Sequence, residues 1–230
     1  MLPLKDTVPS RRVPLANWLL IGLNVLVFMG ELSLTNRQLE SLVHLLGVVP
    51  ARFLHYLDLA EISTLLTSQF LHGGWLHLFS NMLALYIFGD NIEDRMGHAR
   101  YLVFYLLCGV AAGLVHILFN QSSAVPSIGA SGAIAGVMGA YLLLFPHSRV
   151  ITLVPMFFLP MIVEIPAVFY LGVWFLSQLF SGTLEVVHGF YQAGPHKGGG
   201  IAWWAHAGGF LAGALLVGLF ATRRRNIRRR

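Results

Sequence analysis

Long apolar runs separated by short polar breaks set the pattern of this chain. The runs at 17–32, 65–88, 101–119, 129–145, 166–180 and 201–222 each approach the length a helix needs to cross a hydrocarbon layer, about 20 residues at about 1.5 Å per residue. They predict an all-α membrane protein, a polytopic bundle of six transmembrane helices. Residues 33–63 are mixed, and the apolar patches Leu42–Pro50 and Phe53–Leu59 predict short helices lying in the interface. Asp90–Arg100 reads as a short charged loop, Asn120–Ser127 as a polar turn, and Ser181–Gly200 as a loop rich in Gly and His. The apolar stretch Val150–Ile165 is broken by Pro155, Pro160 and Glu164 and is followed by Pro166, so its first part reads as an irregular interfacial connection. The organisation expected is an N-terminal segment 1–16, a membrane domain 17–222 and a basic tail 223–230.

Composition agrees with the pattern. Only 11% of the residues are charged and the mean hydropathy is +0.70, against about 25% charged in a soluble domain. The placement of charge says more than its net value of +5. Six of the thirteen arginines fall within residues 223–230, which reads as an anchor beside anionic lipid rather than a nucleic-acid site. With both termini in the cytoplasm, the inner segments hold twelve of the fifteen Lys and Arg residues, the bias the positive-inside rule requires. The expectation is a multi-pass protein of the cell membrane. No small-x-small cleavage site follows the first run, which is therefore taken as a retained span. A single cysteine, Cys108, excludes an intrachain disulfide and zinc sites built on cysteine pairs.

Topology assigns depth to the polar residues inside the runs. Spans two, four and six run from outside to inside. His77 and Asn81 then lie in the outer half of span two, Ser131 at the start of span four, and His206 about 8 Å below the start of span six. Ionisable groups in a membrane are costly and are functional candidates. Ser131 and His206 pair as nucleophile and general base. The glycines of span four (Gly132, Gly136, Gly139) and of span six (Gly208, Gly209, Gly213) offer small faces on which the two helices can pack closely. His77 and Asn81 are four apart, on one helical face. Both can donate to a developing oxyanion, with the Ser131 backbone N–H as a third donor. No Asp or Glu in these spans lies at that depth, so a Ser–His dyad is expected rather than a triad. The plainer reading remains a glycine packing face with an ordinary helix-start serine and structural histidines. His116 is the histidine best suited to that structural role, and His72 shapes the mouth of the loop before span two. A metal is not expected: the chain has no His-Glu-x-x-His, and His72 and His77 are five apart. No cofactor motif is present.

At these residues the chain resembles the rhomboid family of intramembrane serine proteases. The matching pieces are Phe70-Leu-His-Gly-Gly-Trp-Leu-His-Leu-Phe-Ser-Asn-Met82, Gly89-Asp-Asn-Ile-Glu-Asp-Arg-Met-Gly97, Gly129-Ala-Ser-Gly-Ala-Ile-Ala-Gly136 and Ala205-His-Ala-Gly-Gly209. The resemblance covers about residues 15–222. It implies hydrolysis of a peptide bond in or near a transmembrane segment of another membrane protein, with Ser131 as nucleophile and His206 as base. It also implies an oxyanion site of His77, Asn81 and the Ser131 backbone, and Gly129 on the path of substrate approach, where His72 is also set. Two departures stand out. Ala135 occupies a position where some members carry an aromatic stacked on the histidine, so Trp203 or Trp204 is expected to orient His206 instead. The first outer loop also lacks the Trp-Arg pair of some members.

Water would reach such a site through the polar segments 120–128 and 181–200, and span five with the 181–200 loop would form a gate and cap. The partners expected are the lipid bilayer and transmembrane substrates. Two rival readings stand beside it: a catalytically inactive relative that binds or escorts membrane clients, and a small transporter using His77 and His206 as a proton path. The transporter would require paired charges deeper in the bundle and internal symmetry, and the sequence has neither.

Overall fold

The computed structural model describes residues 2–156, 159–191 and 201–222. The basic tail 223–230, and the part of the 181–200 loop from 192 to 200, lie outside the described residues. In chain order the elements are β1 (Leu2–Asp6), α1 (Leu15–Leu32), α2 (Asn36–Leu46), α3 (Pro50–Tyr56), α4 (Leu59–Thr67), a 3-10 turn (Ser68–Phe70), α5 (Trp75–Met96), α6 (His98–Phe119), α7 (Ser131–Leu144), β2 (Arg149–Met156), β3 (Leu159–Pro166), α8 (Ala167–Tyr191) and α9 (Trp203–Phe220). Among the described residues, α1, α6, α8 and α9 are long and apolar enough to cross a membrane, and α7 is a shorter apolar helix.

Helix α7 forms the centre. From Gly132 to Tyr141 every residue is buried, and the helix packs on α9, α6 and α5. Its contact with α9 is backbone to backbone. A Cβ on Gly213 would stand 1.9 Å from the Gly136 carbonyl oxygen, and one on Gly209 would stand 2.0 Å from that of Gly132. Helices approach this closely only where side chains are missing from both faces. Around them lies one apolar core, including Leu85, Phe88, Tyr101, Phe104, Tyr105 and Phe210.

The polar residues of α5 tie the bundle together. Glu93 is buried, and its two carboxylate oxygens accept the backbone N–H groups of Ala16 (2.9 Å) and Asn17 (2.7 Å). Those are orphan donors at the start of α1, so a carboxylate from another helix supplies the cap and meets the positive end of the helix dipole. At the other end of α1, buried Glu31 accepts the N–H of His72. Asn17 donates to the Leu85 carbonyl and accepts from the Tyr101 hydroxyl.

Several sequence expectations change. The fold is mostly helical but not all-α: β1, β2 and β3 form an antiparallel sheet in that order. The stretch expected to be irregular is a hairpin, with Arg149 opposite Pro166 and Pro155 opposite Pro160. Its prolines sit at the strand ends, where they do not interrupt the central ladder. The β-branched Val150, Ile151, Thr152, Ile162, Val163 and Ile165 between them favour a pleated surface. Val150 and Thr152 alternate toward the core and are fully buried. Residues 2–6 pair with the free side of β2.

Span two, expected at 65–88, is split. Helix α4 ends at Thr67, and the chain turns through 71–74 before α5 begins. The charged stretch from Asp90 is not a loop either, since α5 continues through it to Met96 and α6 begins at His98. Span five extends as α8 to Tyr191, beyond the Phe180 end expected. The short helices expected within 33–63 are present as α2 and α3; α2 opens on a capping box between Thr35 and Gln38.

Candidate active site

Ser131 is the first residue of α7, and no side chain caps that helix. Its backbone N–H is therefore one of the donors that a helix start leaves without an intrahelical partner. Gly129, two residues earlier, has φ +128°, a conformation open to glycine and strained for other residues. The approach to the serine is pinned from the side: the Gly129 N–H donates to the Ser68 carbonyl, and Val48 and Ser127 exchange backbone hydrogen bonds.

His206 lies in the first turn of α9, which the glycine contact holds against α7. Its Nε2 is 2.8 Å from Ser131 Oγ. The residues predicted as nucleophile and base from separate spans are thus brought within hydrogen-bonding reach. His77 and Asn81 lie in the first two turns of α5. His77 Nδ1 accepts the Gly73 N–H at 3.3 Å, so the ring proton belongs on Nε2. An ideal Cβ position on Gly129 would be 2.7 Å from His77 Nε2 and 3.7 Å from Ser131 Oγ. Both groups therefore flank the same small space beside Gly129. Asn81 is 6% exposed, and its Nδ2 is buried with no protein hydrogen-bond partner. One turn beyond His77 on the same face, it is a donor without an acceptor.

His72 is not brought to the dyad. Its ring packs edge-on against His77 at 5.1 Å. His116 bonds locally to Asn120 at the end of α6. Trp204 does not orient His206 but stacks on Phe119 at 3.8 Å. Trp203 meets the His206 ring edge-on at 6.4 Å, and Trp174 lies at 5.8 Å. The contact on the far ring nitrogen comes instead from Gln178 of α8: its Oε1 is 2.8 Å from His206 Nδ1. Sequence reasoning passed over Gln178. The available signal was its polarity within the apolar run 166–180.

Among the described residues no three His, Cys, Asp or Glu side chains gather at a spacing that could hold a metal ion. The assembled groups are an alcohol on an imidazole, with His77 Nε2 and the uncapped start of α7 beside the alcohol. That arrangement suits attack on a carbonyl and stabilisation of the resulting oxyanion.

Comparison with known proteins agrees in kind. The family model described as the rhomboid domain matches residues 59–223. "Rhomboid protease GluP" of Bacillus subtilis is 35% identical over 130 residues, 56% of this chain and 24% of that protein. "RHOMBOID-like protein 6, mitochondrial" of Arabidopsis thaliana is 42% identical over 78 residues, 34% of this chain and 25% of that one. "Inactive RHOMBOID-like protein 8" of the same plant is 39% identical over 82 residues, 36% of this chain and 23% of that one. In each case the matched stretch spans about a quarter of the relative's length.

Proposed function

Because the chain belongs to the rhomboid family and is a multi-pass membrane protein, we propose that it is an intramembrane serine endopeptidase that cleaves transmembrane segments of other membrane proteins. The observation that carries this reading is the 2.8 Å contact between Ser131 Oγ and His206 Nε2. In the mechanism, His206 Nε2 takes the hydroxyl proton as Ser131 Oγ bonds to the scissile carbonyl carbon. The carbonyl oxygen becomes an oxyanion held by the Ser131 N–H, His77 Nε2–H and Asn81 Nδ2–H. Collapse of the tetrahedral intermediate breaks the C–N bond, and His206 returns the proton to the leaving amine. Water, activated by the same imidazole, then releases the acyl group from the serine.

In this reading α1, α5, α6, α7, α8 and α9 are the six spans. The 14 residues of α7 make a rod of about 21 Å, shorter than a hydrocarbon core of about 30 Å. Ser131 then sits below the outer face, under the polar 120–128 segment that admits water, while both termini lie in the cytoplasm. A substrate helix has to unwind to offer its carbonyl, since a helical backbone in lipid is fully hydrogen-bonded. Cleavage near Gly or Ala at the outer end of the substrate span follows. Both Ser131 and His206 are present and in contact, which supports this reading over that of an inactive client-binding relative. The test is Ser131→Ala in proteoliposomes, on a single-span substrate and with a fluorophosphonate probe. Loss of both cleavage and labelling is expected; cleavage that survives the substitution overturns the reading.

A further inference from the structure

Gln178 is 5% exposed and lies on α8, whereas the serine and histidine lie on α7 and α9. Its amide has one orientation open to it. The Ser177 hydroxyl is 2.6 Å from the Trp174 carbonyl, which can only accept, so its proton is committed there. The Gln178 Nε2 group reaches that same carbonyl at 3.2 Å and the Ser177 Oγ lone pairs at 2.9 Å. A flipped amide would set oxygen against a carbonyl oxygen. Oε1 must therefore face His206 Nδ1, and across 2.8 Å an amide oxygen can only accept. The proton on the imidazole is thereby assigned to Nδ1, which leaves the Nε2 lone pair for the Ser131 hydroxyl.

We propose that Gln178 is the positioning residue of the active site, the third member of a Ser131–His206–Gln178 relay in which a neutral amide fixes the tautomer and ring orientation of the base. The proposal rests on the protease reading above. It explains how Ala135 is tolerated, because the imidazole is held by a hydrogen bond along its plane rather than by a ring stacked on its face. The bond crosses from α8 to α9, beside the contact of Phe175 with Phe210 at 4.6 Å. The base is therefore oriented only while α8 is docked on α9, which couples the position of that span to the reactivity of the serine.

The test uses the full-length protein in proteoliposomes, a fluorophosphonate, and a fluorogenic single-span peptide with a Gly-Ala bend at its outer end. A fluorophosphonate is small and reports the reactivity of Ser131 without demanding that a substrate helix pass α8. Gln178→Met should slow both labelling and kcat by about 10- to 100-fold, the scale of a misplaced catalytic group, with KM near wild type. Gln178→Glu, which keeps an acceptor at Oε1, should recover most of the rate. Wild-type labelling of Gln178→Met overturns the proposal, as does a Gln178→Glu rate no better than that of Gln178→Met. Should Gln178→Met unfold, 15N NMR of the wild-type imidazole decides: a protonated Nδ1 supports the assignment and a bare Nδ1 overturns it. Ser131→Ala separates the two ideas, since activity surviving that change sinks the protease reading, whereas activity lost there and untouched in Gln178→Met sinks only the relay.

Discussion

The Tyr141 hydroxyl donates to Asp6 Oδ2 across 2.5 Å and 135 residues of chain. The same oxygen accepts the side-chain N–H of Asn91 at 3.0 Å. One carboxylate on the first strand therefore ties the end of α7 to the end of α5. Burial holds that carboxyl above the ordinary value of 3.8, against the opposing effects of the Tyr141 hydrogen bond, backbone N–H groups and Lys5. A folded-state value that is raised means the native protein binds the proton more tightly than the unfolded chain does. This contribution to stability is fully present below about 3.8 and is lost as the pH rises through the folded value. Asp6→Asn removes the titration and keeps an oxygen for Tyr141 and Asn91. The unfolding midpoint of the wild type should fall relative to Asp6→Asn as the pH is raised from 3.5 to 7, those limits being about the range either side of an ordinary carboxylate pKa. A difference that does not change with pH would remove Asp6 from the titrating groups that set stability.

The contact between α7 and α9 makes a sharper mutational prediction, because two glycines of one helix should respond with opposite sign. A Cβ on Gly213 would stand 1.9 Å from the Gly136 carbonyl, whereas one on Gly218 meets nothing within 4 Å. Gly213→Ala forces the helices apart and should cost about 1–3 kcal/mol, the range for overpacking. It should also slow serine labelling, because the same contact sets the distance from His206 to Ser131. Gly218→Ala only relieves the poor helix propensity of glycine and should be neutral or stabilising by up to about 1 kcal/mol. Thermal unfolding of the two variants in one detergent checks the pair.

Most groups of the candidate site could be picked out in the sequence because each is a polar exception inside an apolar run. Ser131, His206, His77 and Asn81 stand out on that ground, and the topology expected from the sequence puts them at one depth. Gln178 is the same kind of exception, yet a search for a third member confined to carboxylates on spans two, four and six passes over it, since α8 contributes an amide. The fold was less legible where one residue type has two uses. Proline breaks helices and also sits at strand ends, so 150–165 reads as irregular when it is a hairpin. Charged residues mark loops and also cap helices: Glu93 lies in a stretch that reads as a loop but is buried, with both oxygens on the start of α1. Pairing of β1 with β2 joins residues about 150 positions apart, and no local pattern reports such a contact.

Asn81 offers a case in which activity and stability should separate. Its Nδ2 is buried with no protein partner, and an unpaired buried donor carries a desolvation penalty of about 1–3 kcal/mol. A folded state retains such a group at a cost unless something else uses it. In the proposed reaction that use is the oxyanion, which exists only once the serine has attacked. Asn81→Leu, of nearly the same shape, removes the donor and its penalty together. It should lower kcat by about 100- to 1,000-fold, the loss seen when one oxyanion donor is removed, with KM little changed because the ground-state carbonyl gains less from the donor. Its unfolding midpoint should equal or exceed that of the wild type. A variant that melts earlier yet turns over substrate at the wild-type rate would identify Asn81 as a packing residue and leave the oxyanion to His77 and the Ser131 backbone.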